Sequence, residues 1–139
     1  MGCLTCPRVA GLDVTMPTWL NTSYRESLRD LPGQAGPFIF AMTEFYTNAY
    51  RVHAGYGGGM PLHDPSAVMI LLRPDLYGLV RHPVAIDTAQ YPAPTRGLVI
   101  ADRRGGPLSP ASNSTTEFAM QVDVDSVLHE LRARIARLP

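Results

Sequence analysis

Apolar positions along the chain follow the helical period in two places. Phe38, Met42, Phe45, Ala49 and Val52 recur at i, i+4, i+7, i+11 and i+14, which lines one face of a helix. Val127, Leu128, Leu131, Ile135 and Leu138 draw a second stripe near the end, behind Asp125 as N-cap. Between them lies a different pattern. Ala67, Val68, Ile70, Leu71 and Leu72 are apolar almost all round, which predicts a buried helix. Asp64 suits its N-cap, Pro65 its first helical position, and Arg73-Pro74 its end.

Alternation marks the strands. Val80 to Thr88 carries Val80, His82, Val84 and Ile86 on one side. TRGLVIADRR, from Thr95, is a second strand, reached through the turn-rich AQYPAPT. EFAMQVDV, from Glu117, is a third, after a polar loop over Arg104 to Asn113. At the other end, Arg8 to Val14 reads as a short buried strand finishing at Asp13-Val14-Thr15. A helix through Trp19, Tyr24 and Leu28 follows, entered at Pro17 and ending near Leu31-Pro32-Gly33. The order is β-α-α-α-β-β-β-α: an α/β chain with an antiparallel ribbon near its end. The first strand has no element before it and resembles an interior strand lacking its neighbours.

Composition narrows the class. The 139 residues suffice for one domain, and with 45% hydrophobic and 17% charged residues the chain is not disordered. Formal net charge is zero, which argues against a general nucleic-acid binder. No apolar run reaches the length of a membrane span, and the N-terminus lacks a signal-peptide core. The expected compartment is the cytoplasm. Cys3 and Cys6 form a CxxC before Pro7, with no second ligand pair at zinc spacing, so they are expected to be terminal thiols without a role.

The candidate chemistry centres on GYGGGMPLHDP, Gly55 to Pro65. A Walker-type phosphate loop needs a lysine, and the chain has none. The glycines follow a helix rather than a strand, so a dinucleotide fold is not indicated. They read as a loop that closes over a substrate or merely joins two helices. His63 and Asp64 sit together at a helix start, where an imidazole can donate a proton and a carboxylate can bind a hard cation. The alternative is that Asp64 only caps the helix and His63 lies on the surface. Tyr50, one turn before the glycines, could stack on a planar base. Asp123-Val124-Asp125 mimics a metal-binding pair but is better explained by the cap of the last helix. His82 and His129 stand without acidic companions in register.

Four segments then resemble one family in order and spacing. GLDVT at Gly11–Thr15, MPLHDPSAVMILLRPDL at Met60–Leu76, TRGLVIAD at Thr95–Asp102 and FAMQVDVDSVLHEL near the end are similar to the C-terminal half of the inosine-uridine-preferring nucleoside hydrolases. The resemblance implies the C-terminal portion of that open α/β fold. It implies hydrolysis of the N-glycosidic bond of ribonucleosides to ribose and base, with a bound calcium ion. Asp64 would be a calcium ligand that touches ribose. His63 would be the catalytic acid or a base-pocket contact, and Tyr50 would close over the nucleobase. The family's aspartate-rich D-x-D-x-x-x-D-D motif does not occur in these residues. The chain is therefore expected to be incomplete, and weakly active or inactive alone. Its expected partners are a small-molecule nucleoside and either a second copy or a complementing N-terminal half. A non-catalytic nucleoside-binding or interaction module is the alternative.

Overall fold

The computed structural model describes residues 7–53, 55, 57–102 and 115–139. Cys3, Cys6, Tyr56 and the loop expected over Arg104 to Asn113 lie outside the described residues. The elements are β1 (Arg8–Ala10), α1 (Leu12–Thr15), β2 (Trp19–Asn21), α2 (Thr22–Arg29), α3 (Ala35–His53), β3 (Gly59–Pro61), α4 (His63–Leu72), a 3-10 turn (Pro74–Leu76), β4 (Tyr77–Ile86), β5 (Val99–Ala101), β6 (Thr115–Val122) and α5 (Val124–Ile135).

The main sheet has the order β1-β6-β4-β5. β4 pairs antiparallel with both β5 and β6, as the late ribbon predicted. β1 runs parallel to β6, Val9 opposite Phe118, and forms the sheet edge. One row crosses three strands: Arg8 and Arg81 both register with Glu117. Glu117 accepts from Arg8 Nε at 2.8 Å and from Arg81 Nη2 at 2.7 Å, which lets a carboxylate stay charged though buried. These hydrogen bonds, to Arg8 first and then Arg81, hold its carboxyl below the usual carboxylate range.

α2 opens on an Asn21 cap, whose side chain accepts from Tyr24 N at 2.8 Å. Gly36 lets α3 approach α2; a Cβ there would strike Leu28 O and the Leu31 side chain. Arg25 stitches the same seam. Its guanidinium lies 4.0 Å over the Phe40 ring and donates to Phe40 O at 2.8 Å. The buried residues form two clusters. Val14, Met69, Ile70, Tyr77, Ala119 and Val127 make one, against the sheet. Leu20, Leu28, Leu31, Leu62 and Ile135 make the other, and Leu131 of α5 packs against both.

Five expectations change. Asp13-Val14-Thr15 belongs to a one-turn helix, because Gly11 O accepts the N–H groups of both Val14 and Thr15. Trp19 is not helical; it starts β2, which pairs with β3 in an antiparallel ribbon, Trp19 opposite Pro61. Asp64 is not the cap of α4. Leu62 takes that place, its N–H held by Thr18 O at 2.8 Å and its carbonyl accepting from Ser66, so Asp64 falls inside the first turn. Asp123, not Asp125, caps α5, accepting from Ser126 N at 3.1 Å. Finally, α4 is buried on one side only: Ser66, Met69 and Ile70 face the core, while Val68, Leu71 and Leu72 are exposed.

Candidate functional site

The β2–β3 ribbon, α2, α3, α5 and the start of α4 converge on one cleft of about 560 Å³, a size suited to a small molecule. The β2–β3 ribbon supplies Leu20, Met60 and Pro61. α3 supplies Met42, Tyr46 and Tyr50. The first turn of α4 supplies His63, Asp64 and Pro65. Residues far apart in sequence, Tyr50 and the His63-Asp64 pair, thus share one opening.

The ribbon places the pair. Gly59 pairs with Asn21, and a Cβ there would run into the Trp19 indole and Leu20 O, so only glycine lets the two strands close. Gly59 therefore belongs to a strand rather than to a loop. The hydrogen bond from Leu62 N–H to Thr18 O extends the pairing one step and delivers the chain into α4 at His63.

His63 is half-buried and hydrogen-bonded through Nδ1 to Thr15 Oγ1 at 2.8 Å. Asp64 is exposed, and among the described residues its carboxylate has no hydrogen-bond partner. It keeps the benefit of the helix dipole without serving as the cap. Tyr24 forms part of the floor. Its hydroxyl donates to Leu128 O at 2.8 Å, and burial pushes its pKa up to about 12, so it stays protonated near neutral pH. Thr15 and Tyr24 are the residues that sequence reasoning passed over. The signal for Thr15 lies in GLDVT, whose pattern alone suggests the end of a strand.

The other sequence candidates stay outside this cleft. His129 was expected to lack acidic company; instead it shares a separate hollow with Asp125, Glu130 and Arg73. That hollow is organised by Arg73, which bonds Asp75 at 2.6 Å and Glu130 at 3.1 Å. Among the described residues no three His, Cys, Asp or Glu side chains gather to hold a metal ion. A calcium ion wants six or more oxygen ligands, and among the described residues Asp64 is the single carboxylate lining the cleft. The described residues alone do not fit that ion.

Comparison with known proteins decides the family. The model of the inosine-uridine preferring nucleoside hydrolases matches residues 3–129. The chain belongs to the nucleoside hydrolase family. A Schizosaccharomyces pombe protein of uncharacterised function is 33% identical over 92% of this chain and 39% of its own length. The pyrimidine-specific ribonucleoside hydrolase RihA of Shewanella oneidensis is 30% identical over 90% of this chain and 39% of its own. Among solved structures, the purine-preferring ribonucleoside hydrolase from Gardnerella vaginalis superposes with a TM-score of 0.77 at 35% identity, covering 94% of this chain and 40% of that one. A plant nucleoside hydrolase shares the fold at a TM-score of 0.80. The chain thus spans about two fifths of the length of these relatives. Two of the nucleoside hydrolases named differ in base preference, one pyrimidine-specific and one purine-preferring. Among the described residues, no helix is long and apolar enough to cross a membrane.

Proposed function

We propose that the cleft between α3 and the start of α4 is the nucleoside-facing part of a ribonucleoside hydrolase. The observation that carries this reading is the meeting of Tyr50, His63 and Asp64 at one opening of small-molecule size. Tyr50 stacks on the base, Asp64 binds the ribose hydroxyls, and His63 donates a hydrogen bond or proton to the departing base. In the family reaction water adds at the anomeric carbon, and the base leaves with the bonding electron pair and gains a proton. The transition state is oxocarbenium-like.

Asp64 is also the one carboxylate this portion of the fold would lend to a calcium ion; the remaining ligands must come from elsewhere. The same holds for the base that activates the water, since Asp64 is the only carboxylate among the described residues of the cleft. The chain is therefore expected to bind nucleoside weakly and to turn over little or none of it. A nucleoside-binding module without catalysis is the second reading, favoured by that single carboxylate.

The test is to titrate the purified chain with inosine and with uridine, with calcium, by calorimetry, and to measure released ribose in parallel. Saturable binding that disappears in Asp64→Ala, without ribose above the buffer rate, is expected. Release abolished in the same variant would show that the chain is catalytic by itself. Absence of binding to both nucleosides would remove the cleft from nucleoside chemistry.

A further inference from the structure

Thr15 and Thr18 are buried threonines one turn apart, and they place their hydroxyl protons differently. Thr18, just past the end of α1, donates Oγ1 back to Val14 O at 2.7 Å, the back-bond that threonines in helices also make. Thr15 does not. Neither carbonyl one turn behind it takes its hydroxyl proton: Gly11 O accepts Val14 N–H and Thr15 N–H, both at 3.1 Å, and Leu12 O accepts Met16 N–H at 3.0 Å. Among the described residues the Thr15 hydroxyl has one partner, His63 Nδ1 at 2.8 Å.

A neutral imidazole carries one proton, on one nitrogen, and the bond made by the other nitrogen selects which. Thr15 is 3% exposed, so water does not readily take its proton. A buried hydroxyl that fails to donate forfeits most of its hydrogen-bond energy. Donating to Nδ1 is its available outlet. That bond requires a lone pair on Nδ1 and therefore a proton on Nε2.

From this geometry we infer that Thr15 is a positioning residue. It holds His63 in the Nε2–H form, so that the ring offers the cleft a hydrogen-bond donor. The atom of a bound molecule that meets His63 is then an acceptor: a ring nitrogen or carbonyl oxygen of a planar heterocycle. Only the identity of that molecule rests on the nucleoside reading; the state of the ring rests on Thr15.

The test needs no ligand. The tautomer of His63 is read from long-range proton–nitrogen correlations in the uniformly labelled full chain, at a pH where the ring is neutral. His63→Gln identifies its signals among the four histidines. Wild type and Thr15→Ser should show Nε2–H almost exclusively. Free imidazole populates both forms, so Thr15→Val should bring in the Nδ1–H form. A wild-type ring that is mainly Nδ1–H overturns the inference, and so do equal populations in all three proteins. Should Thr15→Val fail to fold, the Thr15 hydroxyl proton decides in the wild type. It is expected to be protected from solvent exchange; exchange at the rate of an open hydroxyl would overturn the assignment. Because no nucleoside is present, a failure here leaves the binding proposal standing, and a failure of binding leaves the tautomer result standing.

Discussion

α5 and α3 carry equally clear apolar stripes, yet they end in opposite surroundings. On α5, Val127 and Ile135 are buried, and Leu128 and Leu131 pack beside them. On α3, Phe38, Met42, Phe45 and Val52 all stand exposed, Phe45 by 74%. α3 buries Gly36 and Thr43 instead, against α2. α4 repeats the contrast within one helix, with Met69 inside and Leu71 outside. Periodicity therefore reports a face built for burial. Whether these residues supply the cover is a separate question. The exposed stripes fit a chain that spans two fifths of its relatives' length.

Truncating one residue on each helix separates the buried face from the exposed one. Ile135→Ala on α5 should cost about 2–5 kcal/mol in urea denaturation, since it opens a cavity between α5 and the β2–β3 ribbon. A cost below about 1 kcal/mol would mean that α5 is no better packed than α3.

Next in size is the sheet against which α5 is seated. The folded Glu117 carboxyl titrates below its unfolded value. Its contribution to stability is thus complete above the unfolded pKa of about 4.3 and fades as pH falls through the lower folded value. Glu117→Gln should flatten the loss of stability over that acid range, measured by denaturation at stepped pH. Some slope should survive, because Asp75, Asp87 and Asp123 are also held low by hydrogen bonds. Parallel wild-type and variant curves would show that the Arg8–Glu117–Arg81 row contributes nothing.

The smallest effect is expected at Phe45→Ala, within about 0.5 kcal/mol in the isolated chain. The same truncation in a buried site would cost about 3–5 kcal/mol. A loss approaching that figure would show that the α3 stripe is covered in solution, for instance by a second copy.

Legibility in the sequence followed element length. α3, α5, β4 and β6 each run eight residues or more, long enough for a period to show. β2, β3 and α1 have three, three and four residues, and tertiary pairing makes them what they are. Two caps were misplaced for a related reason. Asp64 and Asp125 have the right chemistry, but Leu62 and Asp123 are held in place by Thr18 O and Leu76 O, contacts no local pattern contains. The candidate site was legible only in part. His63, Asp64 and Tyr50 could be named from the family resemblance. Thr15, 48 positions from His63, needed the fold to bring the two together.

The β2–β3 ribbon has a practical consequence. The single tryptophan of the chain, Trp19, sits in its register opposite Pro61, with its indole over Gly59 and within two residues of His63 along the paired strand. The chain therefore carries its own fluorophore on the ribbon that leads into the cleft. Its emission reports on the segment that delivers His63 and Asp64, with no label attached and no second tryptophan to blur the signal.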